Sequence, residues 1–118
     1  NLVRNFGLKK RYIVVLDPGH GGKKPGTKHA GVMEKDVVLQ IAKRVYKYLK
    51  QKGVKVYMTR YRDKHISLKR RMRPANKLNA DLFVSIHANS VPSKVRAKVA
   101  KGIETYFLQT TRNARAKR

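Results

Sequence analysis

A short apolar run that ends in a proline-glycine turn and a histidine constrains this chain more than any other feature. Residues 12–16 (YIVVL) suit a buried strand, and Asp17, Pro18 and Gly19 follow directly. Proline and glycine interrupt regular structure, so the strand should end abruptly and present His20 at its end. Ligands of open α/β sheets bind at such strand ends. His20 is therefore the first candidate site residue.

The residues after this strand form a long loop, residues 17–32, which contains five glycines and Pro25. Loops of this length inside a compact domain are usually functional or disordered. The loop lacks both the Gly-Lys-Ser/Thr ending of a P-loop and the spacing of a dinucleotide-binding motif, so the signal for phosphate binding is weak.

An amphipathic helix is predicted over residues 34–52. Its apolar positions recur at spacings of three and four residues, which is typical of one buried helical face. Glu34 and Asp36 fall in the first turn, where the helix dipole favours negative charge, and Gly53 follows as a stop.

A second strand is predicted over residues 54–59, followed by a second helix that Asp63 or Ser67 would cap. An ion pair is an equally good role for Asp63. Pro74 predicts a kink in that helix or a helix in two pieces, because a proline inside a helix costs about 3 kcal/mol. The residues expected to point inward are Leu68, Met72, Ala75 and Leu78.

The third predicted strand, Leu82–Ile86, leads directly into His87, and a fourth is predicted over residues 102–108. The β-α-β-α-β order predicts a single α/β domain with a mostly parallel sheet flanked by helices, in which all strand carboxyl ends meet at one edge. His20 and His87 follow strands and Glu34 opens a helix, so all three should reach that edge. Two histidines and one glutamate with an open fourth position suit a catalytic zinc ion.

Each candidate ligand also has a purely structural interpretation. A lone histidine after a strand is more often a hydrogen-bonded structural residue than a metal ligand. Glu34 could simply favour the helix dipole, which is worth about 0.3–1 kcal/mol. His29 and His65 stand among lysines without a partner motif, so we interpret them as solvated.

Two further residues are candidates for the surroundings of the site, in roles of positioning or substrate binding. Asp17 would anchor the turn or orient His20, because metal-bound imidazoles commonly need such a partner. Asn89 lies two residues after His87 and would hold the local backbone or contact substrate, and Ser85 and Asn76 are expected to hold backbone geometry.

The charge of the chain predicts an anionic neighbour. Thirty Lys and Arg residues stand against six Asp and Glu, a net charge of +24. Nucleic acid, an anionic lipid surface, and wall polymers bearing phosphate or carboxylate all fit this charge. The absence of cysteine excludes disulfides and thiolate zinc sites, and leaves His, Asp and Glu as ligands. No apolar run approaches the roughly 18 residues of a membrane span.

Several short motifs occur together in a fixed order along residues 12–108. They are LDPGHGG (16–22), Gly31 with EKD (34–36), TR (59–60) with Asp63, AN (75–76), ADLFVSIHAN (80–89) and GIETY (102–106). In this order they resemble the zinc-dependent N-acetylmuramoyl-L-alanine amidases of bacterial cell-wall metabolism, of the amidase-3 type. The resemblance implies one zinc ion (Zn²⁺) held by His20, Glu34 and His87. It also implies hydrolysis of the amide between N-acetylmuramic acid and L-alanine in peptidoglycan.

The resemblance assigns no catalytic residue to this chain. The glutamate that serves as general base in the family is expected beyond Arg118, and Glu104 matches a different position. We therefore expect a basic lead-in (residues 1–11), the first two-thirds of an amidase catalytic domain (residues 12–108) and a basic tail (residues 109–118).

The expected biology is that of an exported, monomeric bacterial enzyme in the periplasm or the extracellular cell wall. Its partners would be peptidoglycan and an anionic wall polymer or membrane surface, without specific nucleic acid. Two alternatives stay open, a cell-wall binding module that does not cut and a basic nucleic-acid-binding domain. The latter would show affinity that falls steeply with salt and is indifferent to metal.

Overall fold

The computed structural model describes residues 11–90 and 101–107. The elements are strands β1 (Ile13–Pro18), β2 (Lys28–His29) and β3 (Val32–Met33), helix α1 (Glu34–Gln51), strand β4 (Lys55–Met58), helix α2 (Leu68–Lys77) and strand β5 (Leu82–Ile86). The predicted lead-in and tail lie outside these residues, apart from Arg11.

A three-stranded parallel sheet in the order β4-β1-β5 organises the molecule. Leu16 of the central strand pairs with Met58 on one side and Val84 on the other. The chain steps from β1 to β4 through α1, and from β4 across to β5 through α2. The predicted α/β class with a parallel sheet flanked by helices is confirmed.

Alternation along β1 assigns its side chains to the two faces of the sheet. Val14 and Leu16 pack in a core with Val56 and the apolar side of α1, including Val45 and Leu49. Asp17 is on the other face of the strand, because successive side chains alternate, and it forms an ion pair with Arg71 of α2. The two helices therefore cover opposite faces of the sheet.

Strand β1 is longer than the predicted residues 12–16. Asp17 and Pro18 continue the ladder by pairing with Ser85 and Ile86 of β5, and the Gly19 N–H then donates to the Ile86 carbonyl. Part of the predicted loop is also ordered as a β2-β3 hairpin whose two-residue turn, Ala30 and Gly31, has positive φ at both positions.

Helix α2 begins as predicted, but only part of its predicted inward face is buried. The Ser67 hydroxyl accepts from the Arg70 N–H and is the N-cap. Leu68 is 77% exposed and Met72 37% exposed, so their predicted inward positions are wrong. Ala75 is buried as predicted. Arg71 is buried as well, although it was not predicted to point inward, because Asp17 on the facing strand requires a cation. Pro74 lies inside one continuous helix, so of the two predicted alternatives the helix in two pieces is wrong, and the kink stays a prediction.

The predicted fourth strand is not formed in the part of it that the structure describes. Residues 102–107 are exposed and carry no strand, and Leu108 lies outside the described range. A strand needs a neighbour to satisfy its backbone groups, and none of the strands in residues 11–90 pairs with this segment. Within the described residues no helix combines the length and the apolar character needed to cross a membrane.

Candidate metal centre

Three side chains from distant parts of the sequence meet where the strands end at their carboxyl edge. One Glu34 carboxylate oxygen, Oε2, lies 3.2 Å from His20 Nε2 and 3.0 Å from His87 Nδ1. The three potential ligand atoms are all within 4.8 Å of one another. The predicted convergence of these residues is thus present in the fold.

The two imidazoles frame an opening, whereas the carboxylate forms its floor. The rings of His20 and His87 are 5.2 Å apart and nearly perpendicular, at 87°. Their side chains are 33% and 45% exposed, compared with 4% for Glu34. A small molecule can therefore approach from the histidine side.

Glu34 is held by groups that donate to its carboxylate. Oε1 accepts from the Thr27 N–H at 3.1 Å, and Oε2 accepts from the Ala88 N–H at 3.1 Å. Thr27 Oγ1 lies 3.4 Å from Oε1 and 3.2 Å from the Ala88 carbonyl oxygen, so it bridges the loop and the end of β5. No sequence pattern singles out Thr27, because its contacts depend on the folded loop.

The same contacts keep Glu34 ionised. Burial by itself would raise the pKa of the Glu34 carboxyl, but hydrogen bonds from the backbone N–H groups of Thr27 and Ala88 and with His87, together with the electrostatic effect of His20, outweigh it. The net effect lowers the pKa of Glu34 below its ordinary value of 4.5. A charged carboxylate beside two imidazoles is the form that a cation needs.

Comparison with known proteins then decides the family. Residues 14–118 match the profile of the N-acetylmuramoyl-L-alanine amidase family. This chain belongs to that family. The amidase AmiC of Escherichia coli is 41% identical over 120 residues, covering 92% of this chain and 28% of AmiC. The endolysin of Bacillus phage SPP1 is 45% identical over 95 residues, covering 80% of this chain and 33% of the endolysin.

Solved amidase structures share the fold. The amidase AmiC2 of Nostoc punctiforme superposes with a TM-score of 0.68 at 49% identity, covering 70% of this chain and 47% of AmiC2. The catalytic domain of CwlV from Bacillus (Paenibacillus) polymyxa gives a TM-score of 0.67 at 41% identity, covering 70% of this chain and 48% of that domain. This amidase-family chain thus spans about half of each solved chain and about a third or less of AmiC and the endolysin.

The turn that carries His20 is fixed by two buried arginines. His20 has a φ of 61°, which is unusual for a residue with a side chain. Arg60 donates to the carbonyl oxygens of Pro18 and Gly19, at 3.1 and 2.8 Å. Arg71 donates to those of Pro18 and His20, at 2.9 and 2.7 Å. The two guanidiniums thereby fix the carbonyls of three successive residues of the turn.

Asp17 acts on this turn through Arg71 and not through an imidazole. Its Oδ1 accepts from Thr59 Oγ1 and from Arg71 Nη1, both at 2.7 Å, and its Oδ2 accepts from Ser85 Oγ at 3.0 Å. This geometry is that of an anchor between β1, the end of β4, α2 and β5. Arg60 belongs to the TR motif of the sequence and Arg71 to no quoted motif. The sequence assigns neither residue a role, because nothing in the local pattern distinguishes a buried arginine from an exposed one.

Asp63 connects the glycine-rich loop to α1 through a hydrogen bond and an ion pair. Asp63 Oδ2 accepts from Lys35 Nζ and Asp63 Oδ1 from the Gly22 N–H, both at 2.7 Å. The hydrogen bond from Lys35, followed by that from Gly22, lowers the pKa of Asp63. Of the two roles expected for Asp63, helix cap and ion pair, the structure contains the ion pair.

Two glycines are in contact with the metal centre itself. A methyl group on Gly19 would overlap the His87 ring. One on Gly26, which has a φ of 73°, would come within 2.6 Å of Glu34 Oε1 and 2.7 Å of the His20 ring. The absence of side chains here lets the loop close directly over the three candidate ligands.

The remaining predicted residues lie outside this cluster. Asn89 is exposed, and its role beside the site stays a prediction. His29 and His65 are both exposed, as expected for solvated residues. The candidate centre within the described residues therefore consists of His20, Glu34 and His87.

Proposed function

We propose that this chain holds one zinc ion through His20, Glu34 and His87, as the metal-binding portion of a peptidoglycan amidase. The observation that supports this most directly is the placement of both imidazole nitrogens around one buried carboxylate oxygen, at 3.0 and 3.2 Å.

The donor set fits zinc better than it fits magnesium or calcium. Imidazole nitrogen suits zinc, whereas magnesium and calcium prefer all-oxygen sites. Zinc–ligand bonds of about 2.0–2.1 Å in a tetrahedron place ligand atoms roughly 3.4 Å apart. The two distances from Glu34 to the histidines are close to that spacing, and all three candidate ligand atoms lie within 4.8 Å of one another, so the residues present fit a single ion. The exposed side of the histidines leaves the fourth corner accessible.

The proposed reaction is hydrolysis of the amide between N-acetylmuramic acid and L-alanine. A bound zinc ion would supply the two things that amide hydrolysis lacks, a more acidic water and a polarised carbonyl. The chain's own contribution is to keep Glu34 charged, to orient both rings, and to leave the substrate a path from the solvent side.

The reaction also needs a group that transfers a proton. None of the acidic residues in the described ranges is placed to do so. The chain has six acidic residues, all within the described ranges, and Glu34 alone contacts the two histidines. Asp17 and Asp63 are occupied by Arg71 and Lys35. We propose that the general base is the glutamate expected beyond Arg118, and that residues 12–108 serve to bind metal and substrate.

The relatives' names support the substrate and the location. AmiC of Escherichia coli and AmiC of Neisseria meningitidis are both named N-acetylmuramoyl-L-alanine amidases. We accordingly propose peptidoglycan as the substrate and the periplasm or the extracellular wall as the place of action.

A binding experiment with a minimal substrate tests this function. The probe is N-acetylmuramoyl-L-alanyl-D-isoglutamine, titrated into the zinc-loaded chain and into the chain treated with chelator. We expect binding that requires zinc and that His87→Ala abolishes, while His65→Ala leaves it unchanged. Binding of equal strength with and without zinc would contradict the proposal and favour a wall-binding module that does not cut.

A further inference from the structure

A basic surface lies on the far half of α1, beside the outer edge of β4. Two adjoining shallow grooves there share Tyr46, Lys50 and Tyr61. We call this surface the lysine-tyrosine face and define it by Lys43, Lys47, Lys50, Lys55, Tyr46 and Tyr61. Lys43 and Lys50 follow Glu34 by nine and sixteen residues in α1, which is about 14 and 24 Å along the helix. The face is therefore separate from the metal centre.

Within the described ranges, the lysines of this face lack acidic partners. None of the four lysines forms an ion pair with a carboxylate in the described part of the chain. The six acidic residues lie elsewhere in the sequence, at positions 17, 34, 36, 63, 81 and 104. Lys35, by contrast, is neutralised by Asp63 at 2.7 Å. The positive charge of the lysine-tyrosine face is thus left for an external anion.

The tyrosines position these ammonium groups. Lys43 Nζ lies 4.6 Å from the centroid of the Tyr61 ring, and Lys50 Nζ lies 5.3 Å from that of Tyr46. The two rings meet edge to face, 6.0 Å apart. Cation–π contacts hold an ammonium without neutralising its charge. Tyr61 is still 56% exposed, so the binding test also needs a nucleic acid for comparison.

Three of the lysines also follow one another along α1, at spacings of four and three residues: Lys43, Lys47 and Lys50. Such neighbours are about 5–6 Å apart on a helix surface. This arrangement is a row of cations on one side of a shallow groove, which suits a linear chain of regularly spaced anions better than a flat bilayer. A membrane-bound helix would instead present a broad apolar face.

We propose that the lysine-tyrosine face binds a linear polyol-phosphate polymer of the bacterial wall, independently of the metal centre. The contact would hold the enzyme beside its substrate without taking part in cleavage. The choice of a wall polymer rests on the proposed function. The binding itself does not, because it requires neither zinc nor peptidoglycan.

The test uses poly(glycerol phosphate) as the probe, with the metal-free chain. One variant carries Lys43→Gln, Lys47→Gln and Lys50→Gln. The matched control carries Lys69→Gln, Arg73→Gln and Lys77→Gln on α2, which covers the opposite face of the sheet. Both variants remove three positive charges from exposed or partly exposed positions on a helix. Circular dichroism and melting curves check that both stay folded.

We expect the α1 variant to bind at least tenfold more weakly and the α2 variant to bind less than threefold more weakly. The slope of log affinity against log salt should also fall by about 2 for the α1 variant, because each lysine that neutralises a phosphate contributes about 0.7 to that slope. Equal weakening in both variants would overturn the proposal and indicate a diffuse effect of net charge. Tenfold tighter binding of single-stranded DNA with the same number of phosphates would also overturn it, in favour of nucleic acid.

Discussion

At the scale of single residues, Arg71 joins parts of the chain that are far apart in sequence. Its guanidinium donates to the Ile66 carbonyl, to Asp17, and to the carbonyls of Pro18 and His20. Both charged side chains of the pair with Asp17 are more than nine-tenths buried. Removing one partner would leave a buried charge without compensation, and it would also free the turn that carries His20.

Arg71→Met should therefore reduce the free energy of unfolding by about 3–5 kcal/mol, the usual cost of breaking a buried ion pair. Arg70→Met, at the exposed neighbouring position, is the matched control and should change it by less than about 0.5 kcal/mol. Urea unfolding at neutral pH measures both values. A reduction below about 1 kcal/mol for Arg71→Met, well under the cost of a broken buried pair, would mean that Arg71 does not anchor the turn.

At the scale of elements, the sequence predicts what depends on local pattern. Strand β5 has the predicted bounds, and α1 has the predicted start because Glu34 and the apolar spacing mark it. The buried face of α2 was predicted only in part: Ala75 is buried as expected, whereas the burial of Arg71 depends on Asp17 in a different element. The strand predicted over residues 102–108 failed in the described residues for a related reason, because a strand requires a partner that a local pattern does not supply.

The candidate site also has a part that the sequence predicts and a part that it does not. Topology alone brings His20, Glu34 and His87 to one edge, so the sequence suffices for them. The groups that support them are more distant in sequence. Thr27 donates to Glu34 from 7 residues away, and Arg71 donates to the His20 carbonyl from 51 residues away. No local pattern marks such contacts, and only the folded loop reveals them.

The glycine-rich loop allows a matched test at this scale. Gly26 and Gly31 have similar φ values, 73° and 78°, but only Gly26 lies against the metal centre. Alanine at either position should cost about 1–2 kcal/mol of stability for its left-handed backbone. Gly26→Ala should in addition weaken zinc binding at least tenfold, because its methyl group would displace Glu34 or His20.

Isothermal titration with zinc, beside a melting curve for each variant, separates the two effects. Gly31→Ala should bind zinc as tightly as the wild type. Equal zinc affinities for both alanine variants would show that the loop does not shape the metal centre.

At the scale of the whole molecule, the parallel sheet brings residues that are far apart in sequence close together in space. β1 and β5 are neighbours in the sheet, so His20 and His87 follow adjacent strand ends, and α1 starts beside them with Glu34. The chain as a whole is strongly basic, with a net charge of +24. The fold thus places a buried carboxylate between two histidines, in a molecule whose charge is otherwise mostly positive.

Zinc content decides whether the metal centre is assigned correctly, and elemental mass spectrometry of the purified chain after dialysis measures it. The variants are His20→Ala, Glu34→Gln and His87→Ala, with His29→Ala and His65→Ala as controls that remove an exposed histidine. We predict about one zinc ion per chain in the wild type and both controls, because three protein ligands with an open fourth position hold a single ion. Each of the three ligand variants should contain little or no zinc. Zinc retained equally in all five variants, in samples that melt cooperatively, would contradict the assignment of the metal centre.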